Sequence, residues 1–175
     1  MEYDLRKISS DDRLKLKMRQ EDVGYATYLK KSAFPHQCNN LSVTYGAFDG
    51  EKVVGYVTLL CGVTKATEKD EVDIVALDDE VLFPYDEYPS VKVAKLAVGR
   101  DYERQGLGKT LIELSIAIVK EQIATWIGCR LVMLDAEKRF IPFYRDKCGF
   151  KLIDTAENKA REHPVMFMDI GKLEA

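Results

Sequence analysis

The sequence predicts an α/β (α+β) fold, a mixed and mostly antiparallel sheet flanked by helices. Three observations predict it. Apolar residues alternate in some stretches and recur at helical spacing in others, which gives the order β, α, α, β, β, β, α, β, α, β, β along the chain. Asp49-Gly50 separates two alternating runs, the signature of an antiparallel hairpin. A strand-like run, Val91 to Val98, leads through a glycine-rich turn into a helical pattern.

The elements follow in order. Tyr3, Leu5 and Lys7 alternate as a first short strand within Met1–Ile8. Ser9-Ser10-Asp11-Asp12 offers capping residues, and the spacing of Leu14, Met18, Val23, Tyr25, Tyr28 and Leu29 predicts helix as far as Lys31, broken in two at Gly24. Phe34-Pro35-His36-Gln37 reads as a loop. Leu41 to Phe48 and Val53 to Leu60 are the hairpin strands. Thr64 to Ser90 is charged and irregular, with Asp78-Asp79-Glu80 and an aromatic stretch from Phe83 to Pro89; long loops carry function often enough to make it a candidate lid.

Val91 to Val98 is largely apolar on both faces, as a central strand is. Leu107, Leu111, Leu114 and Ile118 then mark a helix that reaches about Thr125. Cys129 to Leu134 reads as a short buried strand. Phe140 to Lys147 reads as a short helix closed by Cys148-Gly149, with Pro142 in its first turn. Phe150 to Ile153 and Val165 to Ile170 are the last two strands.

The whole chain bounds what these elements can do. Its 175 residues suit a single domain over 1–175, and no linker or repeat divides them. With 46% hydrophobic and 31% charged residues it has the composition of a packed protein rather than a disordered one. No apolar run approaches the roughly 18 residues of a membrane span. Met1-Glu2-Tyr3-Asp4 is acidic and unlike a secretory leader, so a cytoplasmic protein is expected, with Cys38, Cys61, Cys129 and Cys148 as buried free thiols. His36 and His163 lack ligand-like neighbours, and no zinc site is expected. A net charge of -3 removes the global electrostatic argument for nucleic acid and leaves only a local basic patch to carry one.

The turn Arg104-Gln105-Gly106-Leu107-Gly108-Lys109 is the motif that carries chemistry. A helix start presents N–H groups with no intrahelical partner and the positive end of the dipole. Gly106 and Gly108 let the backbone approach an oxygen, and Arg104 and Lys109 add charge, so the ligand is a phosphate or pyrophosphate. A P-loop would need glycine where Glu103 stands, and a dinucleotide fingerprint would need it at Leu111.

A third reading fits better. Leu96-Ala97-Val98, then Tyr102 to Lys109, then Phe143-Tyr144-Arg145-Asp146-Lys147-Cys148-Gly149-Phe150 resemble, in order, three motifs of the GNAT superfamily of acetyl-CoA-dependent N-acetyltransferases. The resemblance covers residues 91–153, and the earlier hairpin and helices agree with it. It implies a splayed parallel pair formed by the fourth and fifth strands and about four flanking helices. It also implies acetyl-CoA as cosubstrate, bound by Leu96, Ala97, Val98, Arg104, Gln105, Gly106, Leu107, Gly108, Lys109 and Tyr144, with no metal. The Val98 N–H would face the thioester oxygen, and the Tyr144 phenol would protonate the leaving thiolate. Glu103 departs from the family loop, where Gln or Arg is usual; it should point away from the pyrophosphate, with Arg104 supplying the lost charge.

The acceptor stays open at this point. The family's strand carboxylate is absent at Val93, Ala94 and Lys95, which leaves Glu80, Asp86 or Glu87 as a base, or an amine that needs none. An α-amine, with a pKa of about 7.7–8, needs less help than a lysine at about 10.4. The first reading is a primary amine of a small molecule or peptide. The stretch Gly24 to Ala33, Thr44 to Phe48 and Ala94-Lys95-Leu96-Ala97-Val98 also resembles the toxin-type GNAT subgroup, which implies acetylation of aminoacyl-tRNA, a ribbon-helix-helix antitoxin and a homodimer. Lys30-Lys31, Lys92, Lys95, Arg100, Arg104, Lys138-Arg139, Arg145 and Lys147 are the cations such a polyanion would need near the site. A catalytically silent coenzyme-binding module is the remaining alternative.

Overall fold

Seven strands are hydrogen-bonded side by side in the order β1-β2-β3-β4-β5-β7-β6. The structure is a computed structural model, and it describes residues 3–65 and 87–172. Most of the Thr64–Ser90 insertion, including Glu80 and Asp86, lies outside the described residues; its ends belong to strands β3 and β4. The chain forms two compact units, residues 1–60 with 93–115, and residues 61–92 with 116–175.

In the first unit β1 (Asp4–Lys7) pairs antiparallel with β2 (Val43–Asp49), and β2 with β3 (Lys52–Lys65). Asp49 and Lys52 face each other across the turn, where Gly50 takes φ 58°, the left-handed conformation for which the Asp-Gly pair is suited. Ala47 pairs with Gly55 and Phe48 with Val53, so Val54 is an extra residue that bulges β3. Buried Ile8, Leu16, Leu29, Ala33, Phe48, Val53, Tyr56 and Ala97 form this unit's core. The Tyr56 hydroxyl donates to the Tyr25 carbonyl at 2.9 Å, which satisfies the polar end of a fully buried ring.

The helical region differs from expectation at its start. A 3₁₀ turn (Gln20–Asp22) opens it, followed by α1 (Val23–Tyr28), a π-helical turn (Leu29–Ala33) and α2 (Phe34–Cys38). Residues 13–19 are not helical: Leu14 N–H and Lys15 N–H close two tight turns onto the Asp12 and Arg13 carbonyls, and the chain is extended at Arg19. Leu14, Leu16 and Met18 face the core while Arg13, Lys15, Lys17 and Arg19 face outward, an alternation that a helix does not produce. Asp12 does not cap a helix because Arg6 grips its carboxylate at 2.7 and 2.9 Å and the Ser9 N–H donates to it at 2.7 Å. Gly24 lies inside α1 and breaks nothing. Phe34 to Gln37 is helix rather than loop, continuing directly from the π-helical turn, with Pro35 near its start.

In the second unit the first half of β4 (Glu87–Val98), as far as Lys92, runs parallel to β5 (Leu131–Asp135), and β5 and β6 (Lys151–Leu152) each pair antiparallel with β7 (Val165–Asp169). The parallel register holds only from Ser90–Leu131 to Lys92–Met133, although both strands run on, so the pair is splayed as expected. Leu131, Met133, Ile153, Val165 and Phe167 form the core here, with Tyr88 packed against them.

Helix α3 (Leu107–Ile118) begins where predicted and gives way to a π-helical turn (Val119–Ile123). The expected helix over 140–147 is a 3₁₀ turn (Lys138–Phe140) joined to a π-helical turn (Phe143–Lys147). The fourth α-helix is instead α4 (Ala156–Ala160), which the sequence pattern did not reveal. Buried Asn158 anchors it: its amide donates to the carbonyls of Ile153 and Val165 at 3.0 Å each, and its oxygen accepts from Val165 N–H at 2.8 Å. All four cysteines are free, but Cys38 and Cys61 are exposed rather than buried. Among the described residues no helix is long and apolar enough to cross a membrane. Among the described residues Trp126 and Ile127 are the most exposed large apolar side chains, at 89% and 69%.

Candidate active site

The end of β4 and the start of α3 build the glycine turn. Ala97 is buried and Leu96 and Val98 half-buried, as a strand interior requires. Gly55 lies beneath them: a Cβ there would meet the Ala97 carbonyl at 3.1 Å and Leu107 and Leu111 at 3.1 and 3.2 Å, so β3, β4 and α3 pack closely on it. The chain leaves β4 at Gly99, whose N–H donates to the Val54 carbonyl at 2.8 Å, and makes a 3₁₀ turn over Arg100–Tyr102. Tyr102 fixes that turn, donating its hydroxyl to Asp49 at 2.9 Å beneath the Lys52 ammonium.

Glu103 is extended, and Arg104 and Gly106 then take φ 60° and 88°. Arg104 is thus a non-glycine residue in left-handed backbone, an uncommon state that the loop enforces. No atom lies within 4 Å of where a Cβ on Gly106 would stand, so the turn opens onto space that such a Cβ would intrude upon. Leu107 is buried and anchors the first turn of α3, and the Thr110 N–H reaches back to the Gly106 carbonyl at 3.1 Å. By helix geometry the preceding N–H groups point out at the same opening. The residues present therefore fit a bound pyrophosphate.

The charges around this turn differ from the simplest expectation. Glu103 is not merely turned aside. Arg19 holds it in a forked ion pair, Nε at 2.9 and 3.1 Å from its two carboxylate oxygens. That contact, with Arg104 and Arg100 adding to it, keeps the Glu103 carboxyl below its ordinary range. Lys109 pairs with Glu113 at 2.7 Å one turn along α3, and Gln105 donates to the Asp101 carbonyl at 3.1 Å.

Tyr144 belongs to the second unit, whereas Leu96 to Lys109 belong to the first. It is half-buried in the π-helical turn, its ring edge-on to Phe143 and Phe150 at 5.1 and 6.1 Å, and its carbonyl accepts from Phe150 N–H at 3.0 Å. The aromatic pair in Phe143-Tyr144 and the closing Phe150 thus set the phenol's direction.

Of the candidate bases only Glu87 lies within the described residues, exposed at the start of β4. A carboxylate that sequence reasoning missed stands at the end of β5: Asp135 is 2.5 Å from Lys92, just past the last residues of the parallel register. An acid closing the apolar run Leu131 to Leu134 was the signal for it. Lys95 occupies the strand position just before Leu96, its ammonium over the rings of Tyr25 and Tyr28 at 5.6 and 5.7 Å. Among the described residues no cluster of His, Cys, Asp or Glu could hold a metal ion.

The sequence model of the acetyltransferase (GNAT) family matches residues 14–150. No curated protein sequence matches the chain. Among solved structures it resembles a tyrosine-to-phenylalanine mutant of the toxin AtaT bound to the C-terminus of the antitoxin AtaR and acetyl-CoA, at 16% identity over 97% of this chain and 94% of that one, TM-score 0.71. It also resembles AtaT complexed with acetyl-methionyl-tRNAfMet, at 17% identity over 97% and 96%, TM-score 0.74. A tyrosine-to-phenylalanine mutant of KacT matches at 18% identity over 98% and 96%, TM-score 0.75. At such identities the likeness shows the fold.

Proposed function

The chain belongs to the GNAT acetyltransferase family, and from that premise we propose that it transfers the acetyl group of acetyl-CoA to a primary amine. The observation that carries this reading is the turn from β4 to α3, with Gly106 at φ 88° and open space over its Cα beside a helix start. Arg104, Gln105, Gly106, Leu107, Gly108 and Lys109 hold the pyrophosphate, and the backbone of Leu96, Ala97 and Val98 holds the pantetheine arm. The Val98 N–H donates to the thioester oxygen as charge develops there. Tyr144 delivers its phenolic proton to the departing sulfur, and the amine nitrogen takes the acetyl carbon.

For the acceptor, the α-amine of aminoacyl-tRNA is the reading with more support than a small-molecule or peptide amine. β4 carries Lys95 and no acid beside Leu96, which suits an amine that is neutral without help. Outward-facing Arg13 and Lys15 and exposed Lys30 and Lys31 give a net acidic chain local cations, whereas Lys17 and Arg19 are already paired with Asp101 and Glu103. The likeness to AtaT and KacT extends over nearly the whole chain. On this reading a small antitoxin is the expected protein partner.

Acetyl transfer from labelled acetyl-CoA, measured against aminoacyl-tRNA, peptide and polyamine panels, tests both levels. Tyr144→Phe should lower kcat by about 10²–10⁴-fold and leave coenzyme A binding in place. Undiminished turnover in that variant removes Tyr144 from the reaction. Label found only in polyamines or peptides rejects the tRNA acceptor, and no transfer to any panel favours the silent binding module.

A further inference from the structure

Residues 16–19 lie along the turn that follows β4. Lys17 pairs with Asp101 at 3.1 Å and Arg19 with Glu103, one step of two residues on each side. The Arg100 N–H donates to the Lys17 carbonyl at 2.8 Å. Leu16 fastens the segment from below: it is buried in the core and lies 3.0 Å from where a Cβ on Gly99 would be. Thus both acids of Asp101-Tyr102-Glu103 are met by cations of one strap, and the backbone of the strap is tied to the same turn.

This matters because Glu103 immediately precedes Arg104 in the turn that opens onto the ligand space. An uncompensated carboxylate there repels a pyrophosphate. We propose that Arg19 is a positioning residue for the cosubstrate: it draws the Glu103 carboxylate onto the strap and masks its charge, which lets a turn with an acid at this position accept a diphosphate. The inference rests on the pyrophosphate reading of the Gly106 turn. Arg19 acts through Glu103, so its contribution exists only while that acid is present.

The test is a double-mutant cycle read by calorimetric titration with coenzyme A and by the KM for acetyl-CoA. Arg19→Ala is expected to weaken coenzyme A binding by about tenfold, the loss falling on KM rather than kcat. Arg19→Lys should recover part of it. Glu103→Gln in the Arg19→Ala background should restore binding to near wild type. Unchanged binding in Arg19→Ala overturns the proposal. So does a double variant as weak as Arg19→Ala, because Arg19 would then touch the ligand itself. Should Arg19→Ala lose its cooperative thermal transition, Glu103→Gln alone decides: binding equal to or tighter than wild type is expected, and weaker binding overturns the proposal. Wild-type protein that binds no coenzyme A overturns the pyrophosphate reading, and this inference with it.

Discussion

Gly106 concentrates the chemistry of the turn in one residue. Its φ of 88° is strained for any L side chain, yet no neighbour would clash with an added methyl. Gly106→Ala should therefore lower stability by only about 1–2 kcal/mol, the backbone contribution alone. Coenzyme A binding should weaken well beyond that, because the methyl enters the space where the phosphates would lie. Calorimetric titration beside a thermal melt separates the two effects, and a variant that binds coenzyme A normally removes the turn from the ligand site. The glycines and Tyr144 were legible in the sequence because their signals are local. The Arg19–Glu103 pair was not, since its partners stand 84 residues apart and only the fold brings them together.

Elements with a repeating local pattern were legible, and short ones held by distant partners were not. The Asp49-Gly50 hairpin, β4 and α3 each announce themselves within a dozen residues. Segment 13–19 misled because Leu14 and Met18 satisfy helical spacing and alternation equally; buried Leu16 breaks the tie. Helix α4 has five residues and is held by buried Asn158 and by the Thr155 cap, whose hydroxyl accepts from the Asn158 N–H at 3.1 Å. Asn158→Ala would deprive the Ile153 carbonyl and the Val165 N–H of their partner in the interior and remove one of two donors to the Val165 carbonyl, which keeps the Ile153 N–H at 3.3 Å. Unfolding by denaturant should register a loss of about 2–4 kcal/mol. At the other end of the chain, Arg6 is the main cause holding the Asp12 carboxyl below its ordinary range, with the Ser9 N–H helping and burial opposing. Because the folded value is depressed, this contribution is present above about pH 4 and fades as pH falls through the folded pKa. Asp12→Asn should destabilise the protein at neutral pH and flatten the acid limb of a stability–pH curve below about pH 4.

At the scale of the whole molecule, charge separates the two substrates. The chain is net acidic at -3, so a polyanion must be bound by local cations against an unfavourable mean field. If aminoacyl-tRNA is the acceptor, its KM should climb steeply with added salt, since each neutralised phosphate releases counterions. The KM for acetyl-CoA, a small ligand held at one turn, should respond far less. Steady-state kinetics at several salt concentrations checks this, and parallel responses would argue for a small amine. The topology was legible to the level of seven strands and their splayed pair, since each followed from motifs in order. The identity of the fourth α-helix was not, because the residues near Tyr144 wind as π-helix to satisfy packing on Phe143 and Phe150.

Trp126 has a use of its own. It is the chain's single tryptophan and sits almost wholly in water just ahead of Gly128. Its indole emission in the native protein should already resemble that of the free amino acid, so unfolding will scarcely move the spectrum. The same property makes it a reporter: any macromolecule that covers this corner will shift its colour and shield it from a dissolved quencher.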